Sequence, residues 1–147
     1  MQALILPQGL IKLAMVDRMI YKAKTVILAV DNLFFSTRIS SGLRQRGYSV
    51  EAAATLDGIK SKTGPETAAV VLDLSASNLD VMGMIQGLKS APETARIPLI
   101  GFGGHKATEL FQAARDRGCD LIVTNAAITS DLGACLAKVN EINRGDI

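Results

Sequence analysis

One apolar run constrains the fold more than any other stretch of the sequence. Residues 68–72 read AAVVL, and the run ends abruptly in Asp73. A short apolar run without polar alternation is typical of a strand in a parallel sheet that is covered on both faces. In an open α/β sheet the functional crevice lies beyond the carboxyl ends of the strands. We therefore expect Asp73 to lie at a functional site, and the structural alternative is that it braces the loop at residues 75–78.

From Lys24 onward, similar short runs alternate with helical patterns. The predicted strands cover residues 26–30, 48–53, 68–73, 97–102 and 119–123. The predicted helices cover residues 34–46, 55–62, 82–88, 107–117 and a last helix that Thr129 or Ser130 caps and that runs to residue 142. We expect Thr55 to cap the second helix and Gly47 and Gly118 to end the first and the fourth.

This alternation of strands and helices implies parallel strands joined by right-handed crossovers, with helices on both faces of the sheet. We predict an α/β fold, a doubly wound five-stranded parallel sheet in the order 2-1-3-4-5 flanked by five helices. In that order Asp31, Asn32 and Asp73 meet at one edge of the sheet. The loops at Gly103 and Thr124 should rim the same pocket.

The first residues form a separate unit in this prediction, an N-terminal extension at residues 1–23 that precedes the domain at residues 24–147. The extension is apolar and reads as a helix from about residue 8 to residue 21, but Lys12, Asp17 and Arg18 interrupt it before it could span a bilayer. We expect its apolar face to pack on this domain, on a second copy of the chain or on a membrane surface, in that order. A natural start at Met15 or Met19 is the alternative.

Composition limits the classes of function. With 147 residues, 48% hydrophobic and 20% charged, the chain suits one soluble globular domain. A net charge of +2 that is dispersed along the chain, and an aromatic content of 4%, argue against nucleic-acid binding. Cys119 and Cys135 lack the spacing of metal ligands and are expected to be reduced core thiols of a cytoplasmic protein.

Over about residues 24–142 the sequence resembles the CheY-like receiver domain of two-component response regulators. The resemblance rests on the order of elements, on AVDN at residues 29–32, on VVLDL at residues 70–74 and on Asp80. It implies that Asp73 stands at the phospho-acceptor position, that Asp31 and Asn32 stand at the acidic-pair position, and that these three would hold Mg²⁺. Mg²⁺ suits such a site because it prefers oxygen ligands and neutralises the charge on a transferred phosphoryl group.

Three of the departures from the receiver pattern concern the metal and the phosphoryl group. Asn32 puts an amide where the family has a second carboxylate, so Mg²⁺ binding should be weakened. Gly103 replaces a Ser or Thr, and Thr124 with Asn125 replaces a Lys followed by Pro. Losing that cation removes a charge-assisted contact worth roughly 1.5–3 kcal/mol. The resemblance is therefore to a degenerate receiver, or pseudo-receiver, whose pocket is rimmed by Gly103, Gly104, His105 and Thr124.

We expect a stand-alone, non-enzymatic signalling protein that acts through protein–protein interaction and does not depend on phosphorylation. Its partner would be a histidine kinase or a downstream effector, docking on the face formed by the fourth helix, the fifth strand and the last helix, and the extension would support a homodimer. One alternative is a response regulator in which Asp73 is the Mg²⁺-dependent phospho-acceptor. The other is a sensor that binds a small ligand or an anion in the crevice.

Overall fold

The sheet has the predicted topology. The computed structural model describes residues 24–144, so the predicted helix of the N-terminal extension lies outside the described residues. Five parallel strands lie in the order β2-β1-β3-β4-β5, which confirms the prediction. The strands are β1 (Thr25–Ala29), β2 (Ser49–Ala52), β3 (Thr67–Asp73), β4 (Leu99–Gly103) and β5 (Leu121–Thr124).

Helices cover both faces of this sheet. They are α1 (Leu33–Gln45), α2 (Leu56–Lys62), α3 (Val81–Ser90), α4 (Thr108–Asp116), α5 (Asn125–Ser130) and α6 (Leu132–Arg144). Among the described residues there are thus six helices, and the predicted number of five was wrong. None of these helices is long and apolar enough to cross a membrane.

The additional helix comes from a division of the last predicted one. We expected Thr129 or Ser130 to cap a single C-terminal helix, but Thr124 caps α5 earlier in the chain, where its Oγ1 accepts a hydrogen bond from Ala127 N at 3.1 Å. Thr129 lies inside α5 and donates from its Oγ1 to the Asn125 carbonyl at 2.8 Å. Asp131, with φ −121° and ψ 37°, then separates α5 from α6.

The core consists of two apolar layers, one on each face of the sheet. Side chains alternate along β1, so that Val26 and Leu28 pack on the side of α1, α5 and α6, while Ile27 and Ala29 pack on the side of α2, α3 and α4. All seven residues of β3 are buried, as expected for the central strand of a sheet covered on both faces.

Local side-chain contacts fix where the helices begin and end. Asn32, Thr55 and Asp80 accept hydrogen bonds from the first turns of α1, α2 and α3, at 3.2, 2.9 and 3.1 Å. Gly47 and Gly118 follow α1 and α4 with φ angles of 88° and 102°, a region that favours glycine. The predicted roles of Thr55, Gly47 and Gly118 are confirmed.

Candidate functional site

Strand register brings the carboxyl ends of β1, β3, β4 and β5 to one edge of the sheet. Ala29 pairs with Leu72, Asp73 with Phe102, and Gly103 with Thr124. The predicted site residues that follow or end these strands therefore share one edge.

Asp73 ends β3 and is only 5% exposed. Its Oδ1 accepts a hydrogen bond from Ser75 N at 3.1 Å, so the carboxylate also braces the loop that follows the strand. The structural role that we weighed for Asp73 is present in the molecule. The Asp73 side chain is buried, and a buried carboxylate is costly to ionise without a cation or several hydrogen bonds.

The second carboxylate at this edge belongs to Asp31. Burial is the main cause that raises the pKa of Asp73 above its usual range, and the hydrogen bond from Ser75 N lowers that pKa only in part. The charge of Asp31 raises the pKa of Asp73 further, because like charges repel. Asp31 Oδ2 also accepts from Asn78 N at 3.4 Å, which links the end of β1 to the loop after β3.

Asn32, the other member of the predicted acidic pair, is engaged elsewhere. Its side-chain oxygen accepts a hydrogen bond from Phe35 N at 3.2 Å as the N-cap of α1. The amide thus satisfies a backbone donor at the start of a helix, a role for which Asn is among the preferred residues. Of the pair, Asp31 is the residue whose side chain acts on Asp73.

Gly103 occupies a crowded position at the end of β4. A Cβ on this residue would lie 3.1 Å from Phe111 Cε1, 3.5 Å from Ser75 Oγ and 3.7 Å from Ala107 Cβ. The Cβ of a Ser or Thr at this position would therefore be in ordinary contact with Ser75, but Phe111 of α4 would have to shift by a few tenths of an ångström. Neither residue was singled out as a site residue in the sequence, because the contact depends on how α4 packs on the sheet.

The other rim residues make short local contacts. The hydroxyl of Thr124 is used to cap α5, and a Cβ on Gly104 would lie 3.9 Å from Asn125 Nδ2. His105 and Lys106 lie exposed in a turn closed by the hydrogen bond from Ala107 N to the Gly104 carbonyl at 2.9 Å.

No basic side chain pairs with the two carboxylates within residues 24–142. The ion pairs found there are Lys89 with Asp120 and Lys138 with Glu141, and neither includes Asp31 or Asp73. The site therefore carries a negative charge that the described protein does not neutralise.

A divalent cation fits this charge. The described residues contain no cluster of three or more His, Cys, Asp or Glu side chains that could enclose a metal ion. Mg²⁺ is nevertheless commonly held by one or two carboxylates and several water molecules. Asp31 and Asp73 would be its ligands, and the bound cation would relieve the repulsion between them.

A mostly apolar cavity lies beside Asp31. Its volume is about 290 Å³, and it opens between the ends of β1 and β2 and the loop after β3. The lining residues are Leu28, Val30, Asp31, Ala52, Ala53, Ala54 and Leu79. Asp31 is its only charged lining residue, so the cavity favours an apolar or cationic group over an anion.

Solved structures similar to this chain include response regulators and receiver domains. NtrX from Brucella abortus superposes with a TM-score of 0.69 at 17% identity, over 83% of this chain and 28% of NtrX. The chemotaxis response regulator CheY4 of Vibrio cholerae gives 0.67 at 16% identity, over 79% of this chain and 98% of CheY4. No family model and no curated protein matches the sequence.

The receiver domain of the sensor histidine kinase PA1611 from Pseudomonas aeruginosa gives a TM-score of 0.68 at 18% identity, over 80% of this chain and 98% of that domain. That structure has a magnesium ion coordinated in its active-site cleft. At such identities the similarity establishes the fold. The chain has the doubly wound, CheY-like fold of response-regulator receiver domains, as the sequence resemblance implied.

Proposed function

We propose that this chain is a signalling module of the response-regulator type that acts by binding a protein partner and does not require phosphorylation of Asp73. The observation that carries the proposal is the environment of Asp73. Its carboxylate has no basic partner among the described residues, and a side chain at position 103 would meet Phe111 closely.

The chemistry of phosphoryl transfer explains why this environment argues against a phospho-switch. A transferred phosphoryl group spreads negative charge over its equatorial oxygens, and proteins stabilise that charge with cations and hydrogen-bond donors. Here Mg²⁺ could supply one cation, but Gly103 offers no side-chain donor, and Thr124, whose hydroxyl oxygen accepts from Ala127 N to cap α5, could offer one neutral donor and no positive charge. A phosphorylated Asp73 would therefore be poorly stabilised and poorly coupled to the rest of the sheet.

The face around β5 supports a docking role. β5 is an edge strand, and each of its four residues is partly exposed. An edge strand presents unpaired backbone groups, and exposed side chains on it and on α4 are available to a partner. A histidine kinase or a downstream effector remains the class of partner we expect for a chain with this fold.

A working phospho-receiver is the second candidate, and the interaction between Asp31 and Asp73 favours it. The test is incubation of the full chain with Mg²⁺ and acetyl phosphate, followed by intact-mass measurement. We expect no stoichiometric gain of a phosphoryl group. A gain that is lost in Asp73→Asn but retained in the control Asp57→Asn, a change at the exposed start of α2, would overturn the proposal in favour of the phospho-receiver.

The charges at the crevice limit which class of ligand a sensor could bind there. An anion there would meet the carboxylates of Asp31 and Asp73 before any described cation, so an apolar or cationic small ligand suits the crevice better.

The homodimer through residues 1–23 stays a prediction. Sedimentation of the full chain over a range of concentrations tests it, and a mass that stays at one chain throughout would contradict it.

A further inference from the structure

Two large apolar side chains lie exposed in the first turn of α1. Leu33 is 78% exposed and Phe34 is 60% exposed, and they are the exposed large apolar side chains within residues 24–142. The Phe34 ring contacts Phe35 edge to face, with 5.3 Å between the ring centroids. A single exposed apolar side chain is ordinary, but adjacent ones beside a cavity indicate a surface that another segment covers.

This patch continues into the apolar cavity beside Asp31. Val30 and Asp31 line the cavity, and the chain passes from them into the first turn of α1. Within residues 24–142 Asp31 forms no ion pair, and its Oδ2 accepts a long hydrogen bond from Asn78 N at 3.4 Å. The surface therefore suits an occupant that combines apolar side chains with a cation.

Residues 1–23 of the same chain have this chemistry. Most of them are apolar. The charged residues among them are three basic and one acidic, namely Lys12, Arg18, Lys22 and Asp17. The segment is joined to the domain at Lys24, immediately before β1, so its effective concentration at the surface of the domain is high.

The length of the segment matches the distance to the carboxyl edge. Asp31 follows Lys24 by seven residues along β1 and its end, which at about 3.3 Å per residue span about 23 Å. In the helix predicted over residues 8–21, Lys12 would lie about 13 Å along the axis from residue 21, and three further residues add at most about 10 Å. Such a helix would run beside β2, an edge strand whose residues are mostly exposed, and would bring Lys12 to Asp31.

We propose that the segment at residues 8–16 docks on the carboxyl edge of its own domain. Its apolar side chains cover Leu33, Phe34 and the cavity, and the Lys12 ammonium pairs with the Asp31 carboxylate. The apolar contacts supply most of the binding, since exposed ion pairs contribute little, and the ion pair fixes where the segment lies. The inference holds whether or not Asp73 accepts a phosphoryl group, because none of these contacts involves the Asp73 side chain.

The test places a nitroxide spin label at position 8 of the full chain, through Gln8→Cys, and records amide NMR spectra of the ¹⁵N-labelled protein. The native thiols should not take the label, because Cys119 and Cys135 are buried. Burial raises the pKa of the Cys119 thiol to about 11 and also raises the pKa of Cys135, so little of either is the reactive thiolate.

We expect the label to broaden the amide signals of Leu33 and Leu79 strongly and to leave that of Gly118, at the opposite edge of the sheet, sharp. A mixture of spin-labelled chain without ¹⁵N and ¹⁵N-labelled chain without the label should show no broadening. Equal broadening in the mixture would assign the docked segment to a second copy of the chain. That result, or an absence of broadening at the carboxyl edge, would overturn the proposal.

Matched variants of the spin-labelled chain identify the contacts. Lys12→Glu turns attraction to the edge carboxylate into repulsion, and Leu33→Gln removes apolar surface at an exposed position, so each should lose much of the broadening. Lys22→Glu makes the same charge change too close to the start of β1 to reach the carboxyl edge, and Arg44→Gln changes an exposed residue at the far end of α1. Both controls should leave the broadening unchanged, and equal losses in Lys12→Glu and Lys22→Glu would also overturn the proposal.

Discussion

Asp73 combines burial with a neighbouring negative charge, and both raise its pKa. Because its pKa in the folded chain lies above the unfolded value, the folded state binds the proton more tightly than the unfolded state does. The ionised carboxylate therefore costs stability once the pH exceeds the folded pKa, and the cost is absent below the unfolded pKa. A cation at the site would offset this cost at neutral pH.

We expect Asp73→Asn to raise the melting temperature at neutral pH by a few degrees, because the amide keeps the shape of the side chain without its charge. The gain should shrink as the pH is lowered from neutrality into the acid range, because the wild-type carboxylate becomes protonated as the pH falls through its raised pKa. Thermal melts over this pH range measure it, with the exposed Glu93→Gln as a control that should change little. A loss of stability at neutral pH, or a gain independent of pH, would contradict the claim that the ionised Asp73 carboxylate destabilises the folded chain.

Substitution of Gly103 tests how tightly the side chains pack at the same edge of the sheet. We expect Gly103→Ala to destabilise the chain by about 1–3 kcal/mol, because the added methyl group meets Phe111 Cε1 at 3.1 Å. In a Phe111→Leu background the cost of Gly103→Ala should be smaller, since the shorter side chain vacates that space. Urea unfolding of the two single variants and the double variant gives the coupling energy. Additive effects would show that Phe111 is not the obstacle.

At the scale of elements, the sequence predicted those boundaries that depend on local chemistry. Thr55 as an N-cap, and Gly47 and Gly118 as helix ends, required only the known preferences of these residues. The division of α5 from α6 was missed because the segment NAAITS contains neither Gly nor Pro. Thr124 just before this segment was the available signal, since Thr is also a common N-cap.

Such local preferences of residues could not predict the contacts between elements. The preference of Asn for N-caps could have assigned Asn32 to α1, but the same residue also fitted the family's acidic pair. Nothing local places Phe111 next to Gly103, because that contact follows from how α4 packs across the end of β4. The candidate site was thus predicted in its main-chain position and only partly in its side-chain surroundings.

One ion pair joins three elements at the opposite end of the sheet. Lys89 in α3 pairs with Asp120 at 2.6 Å and also donates to the carbonyls of Ala95 and Ile97 at 2.9 and 3.0 Å. Asp120 in turn accepts from Leu99 N at 2.8 Å, at the start of β4. The two side chains are 17% and 26% exposed, so solvent screens them less than a surface pair.

We expect Lys89→Met to destabilise the chain by about 2 kcal/mol, because it removes a charged donor from two carbonyls and leaves Asp120 without its cation. The control is Lys138→Met, which breaks the more exposed pair with Glu141 and should cost less than about 0.5 kcal/mol. Chemical denaturation of both variants compares them directly. Equal costs would show that the Lys89 network contributes no more than a surface pair.

For the whole molecule, the order of the strands determines where the site lies. The order β2-β1-β3-β4-β5 brings Asp31, Asp73, Gly103 and Thr124 to one edge, although they are far apart in the sequence. This arrangement followed from the regular alternation of strands and helices, which is why it could be predicted. Whether the edge still functions as a switch depends on its side chains, and these leave the carboxylates without a cation in the described protein.

The proposal that the chain acts without phosphorylation of Asp73 is tested most directly by a titration of the full chain with Mg²⁺ and beryllofluoride, a phosphoryl mimic. The titration is followed by amide NMR, beside an Asp73→Ala control. We expect the mimic to add no shifts to those that Mg²⁺ alone produces near Asp31 and Asp73. Shifts that spread from Asp73 to Gly103 and Thr124, and that are absent in Asp73→Ala, would contradict the proposal of a phosphorylation-independent docking module.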